Sequence, residues 1–129
     1  MEEKLRYSDA ELAEFKALIE TKIAAAQREY DEIMDQIAGR SNNDIADASL
    51  HYNVLEEGSR VQSKEELTFM ASRQQKFIQN LRAALVRIEN KTYGICRITG
   101  KLIPKERLRA VPHATTSIEG KQLEKRRLN

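Results

Sequence analysis

Two stretches of this chain carry apolar side chains at the same helical interval, and each opens on the same capping signal. Ser8 with Glu11 forms a capping box, in which the hydroxyl accepts an orphan backbone N–H and the carboxylate reaches back to the cap. From there Leu12, Phe15, Ile19, Ile23, Ala26, Tyr30, Ile33 and Ile37 recur in steps of three and four until Gly39 offers a stop. Ser63 with Glu66 repeats the signal, followed by Leu67, Met70, Gln74, Phe77, Leu81, Ala84 and Ile88, with Gly94 beyond. A stripe that narrow covers one partner helix and no more. Two such helices of about thirty residues each predict an antiparallel coiled-coil hairpin over residues 1–92.

The composition agrees with long helices whose charged faces stay in water. Charged residues make up 33% of the chain and aromatic residues 5%, with no tryptophan, which argues against a large globular core. A net charge of +2 is too small to indicate a nucleic-acid binder, although residues 121–129 concentrate Lys121, Lys125, Arg126 and Arg127 against one acid, Glu124. The single cysteine cannot close an intramolecular disulfide, and the first residues show neither an apolar signal core nor a cleavage pattern. No apolar run approaches the ~20 residues of a membrane span. A cytoplasmic protein without a membrane partner is expected. No Gly-rich phosphate loop, metal set or nucleophile-base pair points to an enzyme.

Two segments interrupt the helical pattern. The connection at 40–62 begins with Ser41-Asn42-Asn43 and continues through Asp44-Ile45-Ala46-Asp47-Ala48, which predicts a loop leading into a short helix that ends near Gly58. Residues 93–129 start at Tyr93-Gly94-Ile95-Cys96 and carry turn residues at Gly100, Pro104, Pro112 and Gly120, with a short basic helix from about Ile118. Ile95, Ile98, Leu102, Ile103, Leu108, Val111 and Ile118 are the candidates for its core. Cys96 reads as a small buried side chain, since no histidine or second cysteine stands at an activating spacing. His51 and His113 read as ordinary surface or turn residues.

The stretch from Tyr93 to Pro112 resembles the C-terminal finger of the DksA/TraR family, which reads aromatic-Gly-x-Cys-x-x-Cys-Gly-x-x-Ile, a short basic helix, then a Pro before Cys-x-x-Cys. Laid on that frame, the four ligand positions fall on Cys96, Thr99, Ser117 and Gly120. The resemblance thus implies a small zinc-finger-like domain, while the chemistry excludes the family's ion, because Thr, Ser and Gly supply neither thiolate nor imidazole. With His113 added, the set reaches two ligands at best. No zinc is expected, and hydrogen bonds among the small polar side chains are expected to take its place. The expected fold is mostly α: the hairpin, a zinc-finger-like domain without zinc, and a short C-terminal helix.

The resemblance extends to Asp44-x-x-Asp47, since the family carries Asp-x-x-Asp-x-Ala at its coiled-coil tip and inserts that tip through the secondary channel of RNA polymerase. It implies a transcription regulator whose contacts to polymerase are made by the tip, Asp44, Asp47, Ala48 and Ser49. The basic run Lys121, Lys125, Arg126 and Arg127 reads either as a solvated helix face or as a docking face for an acidic polymerase surface. Ser49 stands where the family has its Ala, with Ala48 one place early, and the spacing from Asp47 to Cys96 is longer than the family's. The family's alarmone ppGpp is held by basic residues at the positions of Val111 and Lys121. With the first of these apolar, the bidentate fork is missing and an alarmone response is not expected. A monomer that does not read DNA sequence is expected. The alternative reading is a coiled-coil protein–protein interaction module with no polymerase role.

Overall fold

The computed structural model describes residues 5–42 and 63–128. It is built of helix: α1 at Asp9–Asn42, α2 at Lys64–Glu89, α3 at Lys105–Ala110 and α4 at Ile118–Leu128. Among the described residues the only β pairing is a single antiparallel bridge, Ile95 with Leu102. The connection expected at 40–62 does not begin as a loop, since α1 runs through Asn42; its remainder, 43–62, lies outside the described residues. No described helix is long and apolar enough to cross a membrane.

Both capping signals set helix starts. The Ser8 N–H donates to Glu11 Oε1 at 2.9 Å and the Glu11 N–H to Ser8 Oγ at 3.1 Å, so α1 opens on a closed box. At α2 the Glu66 N–H donates to Ser63 Oγ at 3.1 Å. The helix ends differ from expectation. Gly39 does not stop α1, which continues to Asn42; one glycine in a helix costs only about 1 kcal/mol relative to alanine. α2 stops at Glu89, short of Gly94, because Lys91 takes the left-handed conformation at φ 64°. That turn lets the Lys91 N–H reach the Ile88 carbonyl at 3.1 Å and the Thr92 N–H reach the Arg87 carbonyl at 2.9 Å, which satisfies orphan acceptors of the last helical turn.

The chain divides into two compact units: Ala24–Ile78, and Met1–Ile23 together with Gln79–Asn129. In the first unit, Ile33 of α1 packs with Leu67 and Ala71 of α2, flanked by Tyr30, Ile37 and Met70. Late α1 residues thus meet early α2 residues, which is antiparallel pairing. Gln74 Nε2 donates to Glu29 Oε2 at 2.7 Å beside this seam. Burying a leucine such as Leu67 stabilises by roughly 1.5–3 kcal/mol.

In the second unit Leu12, Phe15 and Ile19 from α1 and Leu81, Ala84 and Ile88 from α2 are buried, together with Tyr7, Tyr93, Ile103 and Leu108 from the segments that flank them. Phe15 lies between the two tyrosine rings, with centroids 5.8 Å from Tyr7 and 5.4 Å from Tyr93, in the inclined geometry that aromatic pairs favour.

Candidate functional site

Residues 93–120 fold around one sulfur atom. The chain reverses between Cys96 and Lys101, where the Cys96 N–H donates to the Lys101 carbonyl at 2.8 Å and the Gly100 N–H to the Cys96 carbonyl at 2.9 Å. Gly100 sits at φ +72°, a conformation glycine adopts without penalty. The Ile103 N–H then donates to the Gly94 carbonyl at 2.7 Å, which closes the knuckle.

All four positions of the finger frame converge on Cys96 Sγ. The Thr99 N–H points at the sulfur from 3.4 Å and the Ser117 hydroxyl from 3.6 Å, while the Gly120 N–H donates to Ser117 Oγ at 3.0 Å. A Cβ on Gly120 would stand 2.5 Å from the sulfur, so only glycine fits there beside it. Cys96 is 1% exposed. Burial pushes its thiol up, but the hydrogen bonds from Thr99 and Ser117 outweigh that and bring it down to about 6.

Zinc does not fit this donor set. A structural zinc site takes four thiolate, imidazole or carboxylate ligands, and Cys96 is the single one at the four positions. Among the described residues no three His, Cys, Asp or Glu side chains gather as a metal-holding group.

Two hydroxyls that the sequence reading did not single out hold the finger segment. Tyr7 donates to the Ile103 carbonyl and Tyr93 donates to the Pro112 carbonyl at 2.8 Å, both in buried surroundings. Burial pushes both phenols up, so they remain donors at neutral pH. The Tyr7 ring lies against Gly94, where φ is +81° and a Cβ would come within 2.6 Å of the ring. The signal for Tyr7 was its place one residue before the Ser8 cap, where a large apolar side chain packs onto the helix it precedes. Arg107 Nε donates to the Thr116 carbonyl at 2.8 Å and the Arg97 N–H to the Thr115 carbonyl at 2.9 Å, which ties the loop before α4 to the rest. Arg97 also grips both carboxylate oxygens of Glu124 on α4, at 2.7 and 2.8 Å.

Of the expected core, Ile103 and Leu108 are buried and Ile95, Ile98, Leu102 and Val111 are half-buried. Ile118 is instead 61% exposed. It opens α4 at the rim of a groove of about 520 Å³, which Leu102, Pro104, Arg107 and Val111 also line, rather than facing the interior. Lys121, Lys125, Arg126 and Arg127 are all exposed on α4. Asp44, Asp47, Ala48 and Ser49 lie outside the described residues. His113 sits half-buried in a turn, and burial together with nearby Arg87 pushes its imidazole down.

Residues 91–122 match the family described as the prokaryotic dksA/traR C4-type zinc finger. The chain is similar to the uncharacterized protein YteA of Bacillus subtilis, 48% identical over 46 residues that make up 36% of this chain and 19% of that protein. It is also similar to the RNA polymerase-binding transcription factor DksA of Caulobacter vibrioides, 44% identical over 55 residues, 43% of this chain and 39% of that protein. In both cases the match spans less than half of the curated relative. Among solved structures, the transcription factor DksA2 from Pseudomonas aeruginosa superposes with a TM-score of 0.73 at 24% identity, covering 92% of this chain and 85% of that one. That likeness is one of fold.

Proposed function

The chain belongs to the DksA/TraR family, and on that premise we propose that it is a non-catalytic transcription regulator that binds RNA polymerase. It works through the secondary channel, with the acidic segment containing Asp44, Asp47, Ala48 and Ser49 as the part that meets polymerase. The observation that carries this reading is the combination of an antiparallel helix pair with a finger-like knuckle in one chain, the architecture shared with DksA2. The acidic segment follows directly on the C-terminal end of α1, whose last residue is Asn42.

In this reading the division of labour is physical. The helix pair presents the connecting segment, and its stripe of buried Ile33, Leu67 and Ala71 fixes the register in which α1 ends and α2 begins. The finger supplies a docking body. Its exposed cations Lys121, Lys125, Arg126 and Arg127 suit an acidic protein surface, with the helix held in place by the Arg97–Glu124 pair. Such rim charges act mainly on association rate and orientation, and their effect weakens with salt. An alarmone is not part of this reading, since Val111 offers no cation where the family has a basic residue.

The test is a pull-down with core polymerase followed by an in vitro transcription assay with the Asp44→Asn/Asp47→Asn double variant. Polymerase should be retained by the wild-type chain, and the double variant should still bind while losing at least about tenfold of its regulatory effect, equivalent to about 1.4 kcal/mol. Undiminished regulation by the double variant would remove the acidic tip from the mechanism, and no retention of polymerase would remove the class. A second reading, a protein-interaction module without polymerase, draws on Phe69 and Met34, which the helix pair leaves 64% and 41% exposed. Mass that rises with concentration, in a chain that ignores polymerase, would favour it.

A further inference from the structure

The residues at the four finger positions disagree with the ion that a C4-type finger holds, and the geometry shows what stands there instead. A zinc ion in a tetrahedral site lies about 2.3 Å from each sulfur, at the centre of four side chains that point inward. Here one side chain with a thiol points inward, two neutral hydroxyl residues flank it, and the fourth position has no side chain at all. The sulfur lies in the volume that a side chain on residue 120 would need: a Cβ there would be 2.5 Å from Cys96 Sγ, 3.3 Å from Ser117 Oγ and 3.4 Å from Ile98 Cβ. Carbon and sulfur do not approach to 2.5 Å without a bond, so the two occupants exclude each other.

The polar groups around this centre are also accounted for without an ion. Ser117 Oγ caps the Gly120 N–H in the first turn of α4 and turns its own hydrogen to the sulfur, while the Thr99 N–H faces the sulfur from the knuckle. Thr99 Oγ1 accepts the Lys101 N–H at 3.2 Å. Each small polar side chain thus satisfies a backbone donor that a loop of this curvature would otherwise leave open. The rest of the finger is anchored by the Tyr7 and Tyr93 hydroxyls on the Ile103 and Pro112 carbonyls, bonds that need no metal.

We propose that this finger folds as a metal-free unit in which the Cys96 sulfur, seated on Gly120 and held by the Thr99 N–H and the Ser117 hydroxyl, takes the structural place of the zinc ion. A side chain at 120 and the sulfur in its present position exclude each other, so the glycine and the seated cysteine depend on one another. The proposal does not depend on what the chain binds, so it stands or falls apart from the polymerase reading.

The experiment uses the full chain. Elemental analysis of protein purified without chelator should find zinc far below one equivalent, and neither excess EDTA nor added zinc should move the thermal midpoint. Stoichiometric zinc that disappears in Cys96→Ala, or a midpoint that falls on chelation, overturns the metal-free reading. The seating of the sulfur is read from a double-mutant cycle. Gly120→Ala alone should lower the midpoint by about 5 °C or more, and Cys96→Ala/Gly120→Ala should recover most of that loss because the clash partner is gone. A double variant no more stable than Gly120→Ala overturns the seating.

Discussion

The two compact units of this molecule are held together by different means. Among the described residues of Ala24–Ile78 the helices meet through side chains: Ile33, Leu67 and Ala71 with their partly buried neighbours. In the unit that contains the finger, the buried contacts repeatedly involve the backbone: tyrosine hydroxyls on the Ile103 and Pro112 carbonyls, an arginine on the Thr116 carbonyl, and a ring against Gly94. A stripe of side chains tolerates exchange if volume is kept, whereas a backbone held by single donors and close approaches has few substitutes. Stability in the first unit should therefore follow apolar volume, and in the second it should follow particular atoms.

Glycines give the sharpest way to break that comparison. At Gly94 an alanine would meet two penalties, a left-handed φ of +81° and a Cβ 2.6 Å from the Tyr7 ring. The first costs about 1–2 kcal/mol and overpacking a further 1–3 kcal/mol, so Gly94→Ala should destabilise by about 3 kcal/mol. Gly39, by contrast, is helical and has nothing within 4 Å of its would-be Cβ. Gly39→Ala should stabilise by about 0.5–1 kcal/mol through helix propensity. Urea unfolding of the two variants measures both signs. Equal effects would mean that the finger has slack the structure does not show.

The same difference decides what could be read in the sequence. The helix stripes were legible because period and burial coincide: Leu12, Phe15, Ile19, Ala26 and Ile33 are all buried on α1 as their spacing requires. Both capping boxes set their helix starts for the same local reason, a side chain and a backbone three residues apart. The helix ends were harder, because Lys91 adopts a conformation that its residue type does not announce. In the finger, Cys96, Thr99, Ser117 and Gly120 could be placed together only through the family frame, since convergence over that separation has no periodic signature. Tyr7 was missed as a finger residue because its partner, Ile103, is 96 positions away and is a backbone carbonyl, which any residue could have supplied. Ile118 failed as a core residue because an apolar side chain in a helix's first turn has no fixed partner.

A smaller contrast comes from two conservative exchanges. Tyr93→Phe keeps the ring that Phe15 packs on but removes the donor to the buried Pro112 carbonyl. Leaving that acceptor without its partner should cost about 1–2 kcal/mol, although only one oxygen atom is lost. Leu67→Met in the helix pair changes side-chain shape and branching at a fully buried position, and a volume-conserving swap of this kind should cost less than about 1.5 kcal/mol, with repacking around Met70 and Ile37 absorbing part of it. Chemical unfolding of both variants under one condition ranks them. A larger cost for the leucine exchange would contradict the view that the finger depends on particular atoms while the pair depends on volume.

The smallest expected effect is a pH dependence in the finger unit. Tyr7, Asp9, Arg87, Tyr93, Cys96, Lys105 and His113 are all moved from their ordinary protonation range, and all belong to that unit. For His113, burial first and the Arg87 charge second hold the imidazole below its ordinary 6.5. A base with a depressed value in the fold is neutral there while the unfolded chain begins to take up its proton near 6.5. Between that point and the depressed folded value the unfolded state binds more protons. His113 therefore supports folding fully above about 6.5, and the support fades as pH falls below it. Urea midpoints taken from about pH 7.5 down to about pH 5 should fall more for the wild-type chain than for His113→Gln, which cannot take the proton. Carboxylates titrate in both proteins alike, so the difference between the two curves isolates the imidazole. Parallel curves would show that His113 is hydrated enough to accept its proton in the folded state, and the finger would then depend less on a dry, neutral interior than its buried tyrosines imply.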